Sequence, residues 1–165
     1  MAKDQSFDVV SQVDLQEVDN AVQQTVKELT QRYDLKDTGS KVTLDKHAAT
    51  ITLTAPSDFV AKQVVDVLAT KLIRREIDIK AVHWGKAETA SGGTVRQVGA
   101  IVNGIEMELA RRINKDIRDQ KYKVKVQIEG DQLRVFSASR DELQKVIAFL
   151  KDQDYGIPLQ YTNYR

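Results

Sequence analysis

Apolar residues alternate with polar ones through Lys123-Val124-Lys125-Val126-Gln127-Ile128, the period of a strand that buries one face. Glu129-Gly130-Asp131-Gln132 then predicts a tight turn, because glycine supplies the positive φ that such turns require. Leu133 and Val135 continue the inward face. Ser139 stands three residues before Glu142, a capping box that opens a helix, and Leu143, Val146, Ile147 and Leu150 give that helix its apolar side. The same hairpin and helix occur earlier in the chain. Val42 and Leu44 correspond to Val126 and Ile128, Leu53 to Val135, and Ser57 to Ser139; Val64, Val65, Val67 and Leu68 correspond to Val146, Ile147, Phe149 and Leu150.

A strand and a helix precede each hairpin. Residues 7–13 read as a strand, followed by a helix capped by Asp14 and Glu17 with Leu15, Val18, Val22, Val26 and Leu29 on its face. Residues 95–102 read the same way, followed by a cap at Asn103 and Glu106 and a face of Ile105, Leu109, Ile113 and Ile117. Strands near residues 80–84 and 158–164 close the two copies. The order β-α-β-β-α-β, met twice, predicts an α+β protein of two ferredoxin-like modules with antiparallel sheets. The seam falls at residues 90–94, which hold the chain's only Gly-Gly pair, and divides a module at 1–90 from one at 91–165. A loop over residues 36–40 appears only in the first copy.

The length of 165 residues suits one ordinary domain or two small ones. With no cysteine, the chain can form no disulfide, thiolate zinc site, iron–sulfur cluster or cysteine nucleophile. No stretch approaches the roughly 18 uninterrupted apolar residues of a membrane span, and the first residues resemble neither a signal nor a transit peptide, so the expected location is the cytosol. Neither a P-loop nor a dinucleotide-binding glycine pattern is present, nor a G-x-S-x-G elbow. His47 and His83 are the only histidines, one in a hairpin connection and one in a strand. The expectation is a protein without a metal, a cofactor or an enzymatic activity.

The net charge is only +1, which excludes binding to nucleic acid or membrane by bulk charge. The charge is nevertheless unevenly placed. Residues 1–34 carry three cations against seven carboxylates, whereas residues 96–125 carry eight cations against four. Alternation puts Lys123, Lys125 and Gln127 on one strand face, with Arg134 and Phe136 outward on the hairpin partner and Gln160 and Thr162 beside them. Such a polar, basic platform could take phosphate through lysine and arginine and stack a base on Phe136 or Arg134. The strand Leu133-Arg134-Val135-Phe136-Ser137 departs from the aromatic motif of RNA-recognition domains, which share the topology.

Five blocks together resemble the YajQ family across most of the chain: SFDVVSQVDLQEVDNAV, RYDLKDTGS, VRQVGAIVNGIEMELARRI, KVKVQIEGDQLRVFSASRDELQKVIAFL and GIPLQYTNYR. The resemblance implies a bacterial, cytoplasmic, non-catalytic nucleotide-binding protein. It also implies two ferredoxin-like modules that exchange strands, so that residues 6–13 join the second sheet and 95–102 the first, with the glycine pair as a crossover. Members that bind cyclic di-GMP act on transcriptional protein partners, and binding of guanine nucleotide and transfer RNA is ascribed to others. The reading is therefore an effector that responds to cyclic di-GMP or GTP, the alternative an RNA-binding protein that uses the basic strand face.

The family pattern R-[FY]-D-F-[KR]-G matches at Arg32, Tyr33, Asp34 and Lys36, with Leu35 in place of Phe. T-G-K-[KS]-R-D-D-L-Q matches at Ser139, Arg140, Asp141, Leu143 and Gln144, and P-L-Q-F-x-N-F-R at Pro158, Leu159, Gln160, Asn163 and Arg165. Two family lysines are lost, at Val102 and Ala138. The candidate nucleotide-binding residues are Arg32, Lys36, Lys123, Lys125, Arg134, Ser139 and Arg140; no residue is assigned to catalysis or to a metal.

Overall fold

A computed structural model describes residues 4–165; Lys3, counted above among the amino-terminal cations, lies outside the described residues. In chain order the described elements are β1 (Gln5–Val10), α1 (Leu15–Gln31), β2 (Lys41–Asp45), β3 (Thr50–Ala55), α2 (Asp58–Arg74), β4 (Val82–Trp84), β5 (Glu88–Thr89), β6 (Val95–Ile101), α3 (Met107–Asp119), β7 (Lys125–Glu129), β8 (Gln132–Ser137), α4 (Arg140–Lys151) and β9 (Gln160–Thr162). One sheet has the order β7-β8-β1-β9. The other runs β2-β3-β6-β4, with β5 also paired to β6. Every pairing is antiparallel.

The strands are exchanged. β1 pairs with β8 and β9, elements more than a hundred residues away, while β6 pairs with β3 and β4. The chain forms two compact units, residues 13–102 and residues 1–12 with 103–165. In each, two helices cover one face of the sheet. Val18, Val22, Leu53, Val64 and Leu68 are central to one core, and Phe7, Val9, Ile113, Leu133 and Val146 to the other. The glycine pair turns a hairpin between β5 and β6, where Thr89 faces Val95, so it is not a crossover.

The serine caps form as the spacing predicts: Ser57 Oγ accepts the Val60 amide and Ser139 Oγ the Glu142 amide. Asp14 accepts the amides of Gln16 and Glu17. The cap predicted at Asn103 does not form. α3 begins at Met107, and Glu106 makes no side-chain cap. The amides of Gly104 and Ile105 bond instead to Ser11 and Asp131 carbonyls. Gly104 has φ +88°, and a Cβ there would lie 2.5 Å from Asp131 Oδ2, so this segment holds the strands rather than starting a helix. β1 likewise ends at Val10, short of 13. Ser11 Oγ donates to the Pro158 carbonyl and the Gln12 amide to Gln160 Oε1, contacts that replace the ladder.

Candidate functional site

The register of the four-stranded sheet sets Lys125 opposite Phe136, Gln127 opposite Arg134, and Asp8 between Arg134 and Thr162. Phe7, Val9, Leu133 and Val135 point to the helices, so the anticipated polar row does share the opposite face. Its centre differs from the sequence reading, because the inserted strand brings a carboxylate. Asp8 is 3% exposed. Arg134 Nε donates to Asp8 Oδ1 at 2.7 Å and a second guanidinium nitrogen donates to Oδ2 at 3.3 Å. Asn163 Nδ2 and Gln132 Nε2 also donate to Oδ2, at 2.8 and 3.4 Å. Burial pushes the Asp8 carboxyl up. The hydrogen bonds from Arg134 and Asn163, with the charges of Arg134 and Arg165, outweigh that and hold it below the ordinary range.

Arg134 is therefore occupied. Its third donor contact goes to Glu129 Oε2 at 3.2 Å, and the Asp8 bond raises its own pKa. The cation that composition offered for phosphate is committed inside the sheet. Phe136 is half-buried beside buried Ser6. Lys123, Lys125, Gln127, Gln160 and Thr162 remain exposed.

A second grouping forms at the end of the same unit. Buried Ser137 is its hub. Its hydroxyl donates to the Lys123 carbonyl at 2.8 Å and accepts the Ser139 amide at 3.1 Å. Glu142 accepts the Lys123 amide at 3.2 Å and Lys145 Nζ at 3.1 Å. That backbone bond first, and Lys145 second, hold its carboxyl below the usual value. Lys123, Ser139 and Arg140 are thus brought together by the entry to β7 and the start of α4. Gln5 pairs with Ser137 from the inserted strand. Beside it lies a pocket of about 360 Å³ lined by Gln5, Ser6, Arg140, Leu143, Gln144, Tyr164 and Arg165. Tyr164 is 61% exposed.

Arg140 occupies the first position of α4, where the helix dipole favours an anion over a cation. Asp141 and Glu142 follow it in the same turn. Gln5, Gln144, Tyr164 and Arg165 were absent from the candidate set. The ending that carries Arg165 resembled the family, but its meeting with α4 depends on the exchanged β1.

Arg32 and Lys36 belong to the other unit. Arg32 bonds Asp34 at 2.8 Å and approaches Glu28 at 3.6 Å. Lys36 lies 5.9 Å from the centre of the exposed Tyr33 ring. Among the described residues no group of three or more His, Asp or Glu is placed to hold a metal ion, and no helix is long and apolar enough to cross a membrane.

Comparison with known proteins adds a family. A family profile described as "Nucleotide-binding protein YajQ-like" matches residues 5–165. A "Nucleotide-binding protein" of Synechococcus elongatus is 51% identical over the whole of both chains. One from Alkaliphilus oremlandii is 48% identical over the whole of both. Another, from Geotalea uraniireducens, is 49% identical over 97% of this chain and 98% of its own.

Proposed function

The chain belongs to the YajQ-like family, and on that premise we propose that it is a nucleotide-binding protein that holds its ligand without transforming it. The ligand is a guanine nucleotide, cyclic di-GMP or GTP, and the ligand-bound protein acts on a transcriptional partner. The observation that carries the reading is the pocket joining Arg140, Arg165, Gln144 and the exposed Tyr164. The guanidiniums suit phosphate, the phenol ring suits a base face, and the amides of Gln5 and Gln144 can read a base edge. Ser139 keeps its capping role. Lys123 stands beside it at the entry to β7. None of the described lining residues is a carboxylate or an imidazole, which supports binding rather than acid–base chemistry.

Arg134 serves as the partner of Asp8 in this reading, and Arg32 and Lys36 take no part. The family lysine lost at Ala138 lies two residues before Arg140, which lines the pocket.

Calorimetric titration of the nucleotide-free protein with cyclic di-GMP and GTP tests the proposal. Saturable binding is expected, weakened about tenfold to a hundredfold in Arg140→Ala through loss of one charge-assisted contact. Absence of binding by both nucleotides would overturn the function; equal binding by wild type and R140A would overturn the pocket. The exposed row of Lys123, Lys125, Gln127 and Thr162 favours RNA as the second reading. RNA affinity would fall with salt by about 0.7 log units per log unit of salt for each phosphate neutralised, and Lys123→Ala with Lys125→Ala would flatten that slope.

A further inference from the structure

Each sheet has two edges: β2 and the β4–β5 side in the unit of residues 13–102, and β7 and β9 in the other. β4, β5 and β9 span only three, two and three residues, which leaves β2 and β7 as the longer edges. Edge strands are ordinarily kept from pairing by short length, charged side chains, proline or a bulge. β2 has no proline and no bulge, and its two charged residues, Lys41 and Asp45, are opposite in sign. Its ladder with β3 runs unbroken from Lys41 opposite Thr54 to Asp45 opposite Thr50. Its sequence, Lys41-Val42-Thr43-Leu44-Asp45, is antisymmetric in charge about Thr43 and symmetric in hydrophobicity.

Lys41, Thr43 and Asp45 alternate with Val42 and Leu44, which face the helices. Neither Lys41 nor Asp45 forms an ion pair among the described residues; Asp45 Oδ1 accepts only the Ala48 amide, at 3.0 Å. On the helix side the edge borders an apolar pocket of about 360 Å³ walled by Val26, Leu29, Leu35 and Val42, with Lys36 and Lys41 at its rim. Val26 is 37% exposed although it lies on the apolar stripe of α1. The loop over residues 36–40, which the other unit lacks, helps to form this pocket.

We infer that β2 is a self-association edge, at which two copies of the chain pair antiparallel about a two-fold axis through Thr43. In that register Lys41 of each copy stands opposite Asp45 of the other, and Thr43 opposite Thr43. Leu44 of each copy stands opposite Val42, at the wall of the apolar pocket. The strand's charge order is complementary to itself reversed, which is what an isologous contact requires. Opposite charges and apolar pairs directly across a ladder are each stabilising, and like charges are not. β7 carries a similar order, Lys125-Val126-Gln127-Ile128-Glu129, but its Glu129 is already taken by Arg134 at 3.2 Å.

Sedimentation of the full chain over a wide concentration range tests this. Wild type is expected to pass from monomer to dimer. Lys41→Asp and Asp45→Lys, each turning two opposite-charge pairs into two like-charge pairs, are expected to weaken association roughly tenfold or more. An equimolar mixture of the two variants is expected to recover it, because the mixed pair is again complementary at both ends. Lys125→Glu, on the other edge, is expected to leave association unchanged. Circular dichroism of the exposed-site variants confirms that the fold is intact. A wild type that stays monomeric throughout, a dimer that survives K41D, a mixture that fails to recover, or a dimer lost in K125E would overturn the inference.

Discussion

The two units can be compared position by position, because their registers coincide. In one, Val9 of the central strand lies between Leu133 and Tyr161. In the other, Gly99 lies between Ile51 and Trp84. A Cβ on Gly99 would come within 2.6 Å of Val82 and 2.9 Å of the Trp84 ring, so the indole occupies space that Val9 fills with its own side chain. One residue back, Asp8 opposite Arg134 corresponds to Val98 opposite Thr52. The helices opened by Ser57 and Ser139 begin with Asp58 and Arg140 respectively. One topology thus accommodates a buried ion pair or a neutral pair at its centre, and an anion or a cation at a helix start. The architecture requires neither charge. The ion pair joins residues 126 apart in the chain, and Arg140 shares its helical turn with Asp141 and Glu142.

The exchange itself allows the most drastic test. A fragment of residues 13–102 contains all five strands of its sheet, whereas 1–90 and 91–165 each lack a central strand of one sheet. The 13–102 fragment is expected to unfold cooperatively. Each of the other two, expressed alone, is expected to show no cooperative transition by circular dichroism. A cooperative 1–90 would mean that β6 is dispensable.

Next in size is the central pair. Arg134→Thr leaves the Asp8 carboxylate buried with only amide donors, and is expected to lower Tm by several degrees, because a buried charge without its counter-ion is strongly destabilising. The double change Asp8→Val with Arg134→Thr copies the other unit and is expected to restore most of that loss. The pair also predicts a pH dependence. The folded Asp8 pKa lies below its unfolded value. Its contribution is therefore complete above the ordinary carboxylate range and lost as pH falls through the lowered value. The double variant should show a shallower acid limb in thermal melts.

Gly99→Val, which copies Val9 into a site already filled by Trp84, is expected to cost about 1–3 kcal/mol in chemical denaturation through overpacking. At the helix starts, Arg140→Asp copies Asp58. It is expected to abolish nucleotide binding while leaving stability unchanged or raising it by about 0.3–1 kcal/mol, since an acid suits the first helical turn. Ala138→Lys, which restores the family lysine at an exposed site, is expected to strengthen nucleotide binding by up to about tenfold in the same titration.

Much of this molecule could be read along the chain. The hairpins, the four helices and their inward faces follow from periodicity at Val124 to Ile128, from the caps at Ser57 and Ser139, and from stripes such as Ile113 and Ile117. The exposed row of Lys125, Gln127 and Thr162 follows from alternation. Three features did not follow. Asn103 has the composition of a helix cap, but Gly104 and Ile105 spend their amides on Ser11 and Asp131, and such distant partners leave no local signal. Arg134 looked free because Asp8 stands 126 residues away. The glycine pair looked like a seam because glycine marks a hairpin turn as readily as a change of unit.

The sequence alone determined the type and order of the four helices and of every strand but β5, because these depend on residues within a few positions of one another and on the 2.0 and 3.6 periods of strand and helix. Tertiary structure decided which sheet each central strand enters. β1 and β6 each carry an apolar side, with Phe7 and Val9 in one and Val95 and Ile101 in the other, and what matches each to its ladder is a distant partner, Arg134 for Asp8 and Trp84 for Gly99. That choice placed Asp8 against Arg134 and Gln5 beside Ser137, and so brought Arg140, Tyr164 and Arg165 to one pocket through contacts between residues far apart in the chain.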